Sequence, residues 1–187
     1  MILPKQLERL LLLIDYNFGC GLLPLDTKYR EAIRQWRNDP SIMRWCRQSD
    51  LISDQEQDKW FRDQDQDQTI KMYSVHDKDA GIVGVCGFTS IDRLCQHAEF
   101  SLYIAPAHQR YGFARMALKT LFTHGFMNQN LNSIWGESFD GNPAIGLFLK
   151  LGMQQDGTRR EFYFKDGKFV DAHLFSITYE EWKGQKW

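Results

Sequence analysis

The distribution of apolar positions predicts a strand that leads through a glycine-containing turn into a helix. Alternate residues Phe100, Leu102 and Ile104 are apolar, which is typical of a half-buried strand. Pro106 ends this strand because proline has no backbone N–H group. After Gly112, apolar residues recur at helical spacing, at positions 114, 117, 118, 121, 122 and 125. The first turn of such a helix has unpaired N–H groups and the positive end of the helix dipole, so it suits a phosphate.

Similar patterns divide the rest of the chain into further strands and helices. We predict strands at 21–26, 71–76, 82–90, 133–137, 160–165 and 169–178, the last two joined by an Asp166-Gly167 turn. We predict helices at 27–36, at 53–63 behind a Ser53/Glu56 capping box, and at 144–150, where Gly152 follows as a left-handed cap. Strands that pair in sequence order with helices between them form a mixed α/β sheet with helices on both faces.

The N-terminal residues form a separate segment in this prediction. Leu7, Leu10, Leu11 and Ile14 lie at helical spacing, so residues 4–15 are expected to form an amphipathic helix. This helix would pack either on the rest of the chain or on a second subunit. In the second case the protein would be a homodimer. We therefore divide the chain into an extension, residues 1–19, and one domain, residues 20–187.

Composition and charge narrow the class of protein. A chain of 187 residues that is 43% hydrophobic can bury the core of one domain. A net charge of -1 argues against nucleic acid as a partner, and no apolar run near the N-terminus approaches the roughly 20 residues of a membrane span. The four cysteines have neither metal-ligand nor disulfide-frame spacing, which favours no metal and a cytoplasmic location with reduced thiols.

Three motifs resemble those of a known family. Residues 109–114 match the Q/R-x-x-G-x-G/A signature of the GNAT acyltransferase superfamily, whose members bind the pyrophosphate of acetyl-CoA with this loop. Residues 139–153 resemble its second signature, in which an asparagine precedes a helix. Residues 160–168 are similar to the closing hairpin of RimJ/RimL-type N-acetyltransferases. The resemblance covers about residues 20–183 and implies a single-domain GNAT fold.

The resemblance also implies where acetyl-CoA binds. In the family two central strands splay apart, and the pantetheine arm pairs with exposed backbone. The expected cofactor-binding residues are Leu102, Tyr103 and Ile104 on the strand, Gln109, Arg110, Tyr111, Gly112, Phe113 and Ala114 in the loop, and Asn142 and Lys150 around the second helix. Asn142 could instead cap that helix. Arg110 stands where many members carry glycine, and it could instead be a solvated loop cation.

Glu99 is the candidate catalytic residue. Acyl transfer needs a neutral amine, whereas a lysine-type amine has a pKa near 10.4. Family members often carry a glutamate general base on this strand, and Glu99 occupies the matching position. It could instead be an exposed strand carboxylate paired with a cation, and His97 on the same face is the second choice of base. Phe148 stands where many members carry a tyrosine that protonates the thiolate, so water would have to serve here.

The acceptor region is similar to that of RimJ/RimL-type enzymes and of acetyltransferases of amino-sugar nucleotides, through Trp36 and the residues up to Pro40. Arg37, Arg44 and Arg47 would suit an anionic acceptor or form a solvated face. The expected function is acetyl-CoA-dependent N-acetylation of a primary amine by direct transfer in a ternary complex. The amine would belong to a protein N-terminus, an amino sugar or a small molecule. The alternative is a catalytically weak acyl-CoA-binding module of the same fold that acts in interaction or sensing.

Overall fold

A computed structural model of the chain describes residues 19–64 and 66–185. Its strands are β1 (Gly21–Pro24), β2 (Lys71–Asp77), β3 (Gly81–Asp92), β4 (His97–Ile104), β5 (Ser133–Phe139), β6 (Gln154–Lys165) and β7 (Lys168–Thr178). They form one mixed sheet in the order β1-β2-β3-β4-β5-β7-β6, which confirms the predicted fold class. The helix predicted at residues 4–15 lies outside the described residues.

Helices cover the sheet and connect its strands. They are α1 (Arg30–Asn38), α2 (Pro40–Met43), α3 (Asp54–Gln64), α4 (Phe113–Asn128), α5 (Ala144–Lys150) and α6 (Tyr179–Lys183), with short 3₁₀ turns at Thr27–Tyr29 and Pro106–His108. The capping box before α3 is present, because Ser53 N–H donates to the Glu56 carboxylate (2.8 Å) and Glu56 N–H to the Ser53 hydroxyl (3.2 Å). In the described part of the chain, no helix is long and apolar enough to cross a membrane.

The order of the last two strands differs from the prediction. Strands pair in sequence order from β1 to β5, but β7 then lies between β5 and β6. The tight turn at Asp166 (φ 50°) and Gly167 (φ 80°) joins β6 to β7, as predicted. Burial explains which strand is inside: β7 contains Ala172 and other fully buried residues, whereas β6 has none and forms the edge.

Both faces of the sheet are buried against helices. On one face, Phe100 and its neighbours pack against α4, whose predicted apolar positions from Ala117 to Gly125 are buried. On the other face, Val85 packs with Ile33 of α1 and Phe61 of α3. Because side chains alternate along a strand, Glu99 points to this second face when Phe100 points to the first.

Strands β4 and β5 pair over only three residues. The parallel pairs are His97 with Ser133, Ala98 with Ile134 and Glu99 with Trp135. Both strands continue, to residues 104 and 139, without a further pair between them among the described residues. We call the space between residues 100–104 and 136–139 the β4–β5 cleft. Its β4 edge therefore presents backbone groups that have no strand partner on this side.

Phe148 lies in the core. Its ring is buried between Phe100 and Phe175, with ring centroids 5.1 Å and 5.6 Å away. Helix α5 ends as predicted at a left-handed Gly152 (φ 79°), and Met153 N–H donates to the Phe148 carbonyl (3.1 Å). Phe148 therefore packs α5 against β4 and β7.

This packing predicts a large effect of truncation. We expect Phe148→Ala to lower the free energy of unfolding by about 3–5 kcal/mol, because it leaves a cavity between aromatic rings. Urea denaturation followed by circular dichroism measures the change. The control Leu149→Ala removes a neighbouring side chain that is 51% exposed and should shift stability by no more than about 0.5 kcal/mol. Similar small losses for both variants would contradict the assigned packing of Phe148.

Candidate active site

The predicted phosphate loop lies at the end of β4. The Gln109 side-chain amide donates to the Ile104 carbonyl (3.2 Å) and so ties the loop to the strand. Arg110 (φ 67°) and Gly112 (φ 87°) are both left-handed. Helix α4 begins at Phe113, and Gly112 before it has no side chain that could cap the first turn. The N-terminus of α4 and the open edge of β4 thus lie beside the same loop.

The side chains of this loop differ in what they can contact. Arg110 is exposed and Tyr111 is 72% exposed, so both side chains are accessible to a ligand. The Phe113 side chain instead packs against the core. Phe113 can therefore contact a phosphate only through its backbone N–H group. The left-handed geometry of Arg110 gives a physical reason why many family members carry glycine there.

Asn142 and Lys150 lie at opposite ends of α5. The Asn142 side-chain oxygen accepts a hydrogen bond from Ala144 N–H (2.9 Å), so the capping interaction considered as its alternative role is present. Lys150 is exposed in the last turn of α5, where a positive charge complements the helix dipole. Their contacts with acetyl-CoA stay predictions.

Glu99 lies where the two parallel strands separate. It is the last β4 residue paired with β5, and its side chain is only 8% exposed. The alternative considered for Glu99, an exposed carboxylate paired with a cation, is therefore wrong about exposure, although the cation partner is present. This partner is Arg47, whose guanidinium donates to the carboxylate, and the Thr89 hydroxyl donates a longer bond of 3.3 Å. A buried carboxylate thus stands at the inner end of the β4–β5 cleft.

A second buried carboxylate, Glu137, was not singled out by the sequence analysis. Its side chain is 3% exposed. It accepts hydrogen bonds from Arg47 Nε (2.7 Å), from Arg159 Nη1 (3.1 Å) and from the Tyr163 hydroxyl. Glu137 follows Trp135 by two residues on β5, so it shares the face of the residue that pairs with Glu99. We call Glu99 and Glu137 the carboxylate pair.

Arg47 bridges the carboxylate pair and balances its charge together with Arg159. Burial of the Arg47 guanidinium disfavours its charge, but the hydrogen bonds to Glu99 and Glu137 outweigh this and raise its pKa above the ordinary value. The pKa of Tyr163 is also raised, first by burial and then by its bond to Glu137, so the phenol keeps its proton. The cluster contains two carboxylates and two guanidinium groups and is electrically neutral.

The three arginines expected at the acceptor region have different positions. Only Arg47 reaches the carboxylate pair. Arg37 lies over the Tyr103 ring at 5.6 Å and donates to the Gln48 side chain (2.9 Å), while Arg44 is exposed. Arg47, which we had considered as a partner for an anionic acceptor, thus binds two carboxylates of the same chain.

A cavity of about 470 Å³ is lined by residues that neighbour the carboxylate pair, although the two carboxylates themselves do not line it. Its lining includes Trp135, which flanks the vertex of the cleft, and Arg159, which binds Glu137. Asp156 contributes a negative charge. The volume lies within the range of small-molecule sites.

His97 lines the same cavity but faces another carboxylate. Its Nε2 lies 4.0 Å from Asp92. Asp92, Cys95 and His97 place ligand-type atoms within 4.8 Å of one another in the turn between β3 and β4. The Asp92 carboxylate accepts hydrogen bonds from Leu94 N–H (2.9 Å) and Cys95 N–H (2.7 Å), and these bonds alone account for the tight turn. His97 is therefore a weaker candidate base than Glu99.

Comparison with known proteins agrees with this architecture. Residues 21–154 match the family described as the acetyltransferase (GNAT) domain. An uncharacterized N-acetyltransferase, p20 of Bacillus licheniformis, is 25% identical over 90% of this chain and 98% of its own length. The spermidine N(1)-acetyltransferase of Vibrio cholerae is 26% identical over 78% of this chain and 84% of its own length.

Solved structures of the Vibrio cholerae enzyme share the fold. The complex with CoA and spermine superposes with a TM-score of 0.85 over 89% of this chain and 99% of the other, at 24% identity. A dodecameric structure of that enzyme gives a TM-score of 0.79 over 89% of this chain and 97% of the other, at 22% identity.

The unpaired β4 edge, the uncapped α4 N-terminus beyond its end and the buried carboxylate at the inner end of the cleft fit the cosubstrate of this family, and the family requires no metal. The chain belongs to the GNAT acetyltransferase family, and it is an N-acetyltransferase that uses acetyl-CoA.

Proposed function

We propose that the acceptor is a primary aliphatic amine of the spermidine type and that Glu99 is the general base of a direct transfer in a ternary complex. One observation carries this proposal: Glu99 is buried at the last residue pair between β4 and β5. A thioester that enters the cleft would have this carboxylate at its inner end. An amine that approaches from the other face of the sheet would meet the same carboxylate.

Acetyl-CoA supplies the activated acetyl group. The backbone of Leu102, Tyr103 and Ile104 would pair with the pantetheine amides, since β5 leaves that edge of β4 open. The N–H groups of residues 109–114 would hold the pyrophosphate, with Arg110 and Lys150 as partners for phosphate charge. The exposure of both cations supports this assignment.

The acceptor nitrogen has to lose two protons. Glu99 takes the first from the ammonium, directly or through a water, which gives a nitrogen lone pair. That nitrogen forms a bond to the acetyl carbon while the carbon–sulfur bond breaks, and it then releases its second proton to water. Phe148 has no hydroxyl group, so the thiolate of CoA takes its proton from water. Tyr163 is committed to Glu137, so its role is to orient that carboxylate.

The acceptor assignment is supported by the cavity beside the carboxylate pair. An alkyl chain can lie against Trp135, and an ammonium group can face Asp156. The relative from Vibrio cholerae is named for spermidine. A protein N-terminal amine is the second candidate, because the hairpin at residues 160–168 resembles RimJ/RimL-type enzymes and the cavity is open at the surface.

We further propose that residues 1–19 form an extension and residues 20–187 one domain, that the protein is cytoplasmic and that it forms a homodimer. The dodecamer of the Vibrio cholerae enzyme supports self-association in general without fixing the number of subunits here.

A panel of acceptors tests the proposed class. Spermidine, a peptide with a free N-terminal alanine and glucosamine are each incubated with acetyl-CoA, and released thiol is measured. We expect the highest kcat/KM for spermidine. A preference for the peptide would favour the RimJ/RimL-type assignment, and no turnover with any amine would favour the binding-module alternative.

Gly112→Val tests the phosphate loop. Valine is strained at φ 87°, and its side chain would project toward a bound pyrophosphate. We expect the affinity for acetyl-CoA, measured by calorimetry, to fall by more than about tenfold, or about 1.4 kcal/mol. Gly167→Val is the matched control, since Gly167 has φ 80° and also faces open space, in a turn away from the loop. Equal affinities of the two variants would contradict the assignment.

Glu99→Gln tests the general base. It preserves size but removes basicity, so turnover should fall by about 10²–10⁴ while the affinity for acetyl-CoA stays near that of the wild type. Part of the loss should return at high pH, where more of the amine is neutral. Glu137→Gln is compared in parallel and should retain the wild-type pH dependence. If only Glu137→Gln abolishes that dependence, Glu137 is the base and the assignment of Glu99 is wrong.

A further inference from the structure

We propose that Arg47 occupies the subsite of the acceptor ammonium and that acceptor binding displaces its guanidinium from Glu99. This inference rests on the proposed function, because it concerns how the amine reaches the base. In the structure, Arg47 donates to both members of the carboxylate pair. An acceptor ammonium would need the same oxygen atoms.

The partners of the two carboxylates show which contact is replaced. Glu137 keeps Arg159 and Tyr163 as donors when Arg47 leaves. Glu99 keeps only the Thr89 hydroxyl, at 3.3 Å, among the contacts of the described residues. Removal of Arg47 thus leaves Glu99 as the carboxylate that most needs a new cation.

Charge balance favours exchange over simultaneous binding. The cluster is neutral with Arg47 and Arg159 in place, so an added ammonium would leave an excess positive charge beside buried groups. Replacement of one cation by another keeps the cluster neutral. The Arg47 side chain is 49% exposed, whereas those of Glu99 and Glu137 are 8% and 3% exposed. Arg47 already contacts water over about half of its side chain, as does Arg159 at 43%, and Arg47 is the one of the two that binds Glu99.

The displacement requires a change of side-chain rotamer and no movement of the backbone. The Lys165 ammonium binds the carbonyls of Cys46 (2.8 Å) and Gln48 (2.7 Å), which flank Arg47. Further along, Ile52 N–H donates to the Asn38 side chain (2.8 Å). The segment around Arg47 is thus fixed at several points, while the arginine side chain extends from it toward Glu99.

Displacement has a direct chemical consequence. While the guanidinium holds the Glu99 oxygens, no acceptor N–H group can reach them, and a guanidinium does not give up its own proton. When an ammonium takes its place, the acceptor proton lies within hydrogen-bond reach of Glu99. Arg47 would thereby keep other proton donors away from Glu99 until the acceptor binds.

Kinetics of Arg47→Ala test the competition. The tethered guanidinium competes with the acceptor, so its removal should lower the KM for the acceptor by about tenfold, the factor by which a subsite blocked nine-tenths of the time weakens binding. The KM for acetyl-CoA should not change. Arg44→Ala is the matched control, because it removes an exposed arginine three residues away. A higher or unchanged acceptor KM in Arg47→Ala would overturn the proposal.

Methylguanidine provides a probe that does not depend on turnover. It should bind Arg47→Ala in a calorimetric titration, fail to bind Arg47→Ala/Glu99→Gln, and bind the wild type at least about tenfold more weakly than Arg47→Ala. Absence of binding to Arg47→Ala, or equal binding to the wild type, would overturn the proposal. If the wild type acetylates no amine, the proposed function fails, yet this titration still decides whether Arg47 fills a cation subsite.

A nuclear magnetic resonance experiment observes the displacement itself. The Arg47 Nε–H group donates to Glu137 at 2.7 Å and should give a protected resonance, assigned by its loss in Arg47→Lys. Addition of the best amine of the acceptor panel, or of methylguanidine if no amine reacts, should shift this resonance or broaden it through exchange with water. A resonance that stays unchanged when the added cation is saturating would contradict displacement.

Discussion

The early end of pairing between β4 and β5 is the constraint on which the site depends. Parallel neighbours normally share hydrogen bonds along their whole length, but here only three residue pairs form. Phe100 packs so closely on Gly136 that a Cβ at Gly136 would lie 2.4 Å from the ring. The backbone beyond Glu99 needs partners, and an extended ligand with amide groups can supply them. The same separation of strands leaves a carboxylate at the vertex.

The acceptor side depends on electrostatics instead of backbone geometry. Two buried carboxylates lie side by side there, which requires cations nearby. Arg159 and Arg47 supply these cations from different parts of the chain, β6 and the segment after α2. Arg47 is half exposed, and we propose that the cluster exchanges it for a ligand of the same charge. The proposed specificity for a cationic amine and the proposed role of Arg47 are therefore two consequences of one charge balance.

Local sequence patterns predicted most of the strands and helices, and they predicted some of the site residues but not all. Alternation predicted the strands, Ser53 and Glu56 predicted a helix start, and Gly152 and Gly167 marked turns that are left-handed in the structure. Non-local features were missed. Glu137 and Glu99 lie on neighbouring strands, and the register between these strands brings them to the same site. Arg47 binds Glu137 from 90 residues away along the chain and Glu99 from 52 residues away. The inner position of β7 follows from burial in the assembled sheet, which the hairpin sequence does not encode.

A crystal structure of the complex with acetyl-CoA would test the central claim most directly, namely that the β4–β5 cleft receives the thioester with Glu99 at its inner end. We expect the pantetheine amides to bond with the backbone of residues 102–104 and the pyrophosphate to contact the N–H groups of residues 109–114. We also expect the acetyl carbonyl to lie close enough to Glu99 for one amine or water between them. A pantetheine arm bound outside the cleft, or an acetyl group remote from Glu99, would contradict the account.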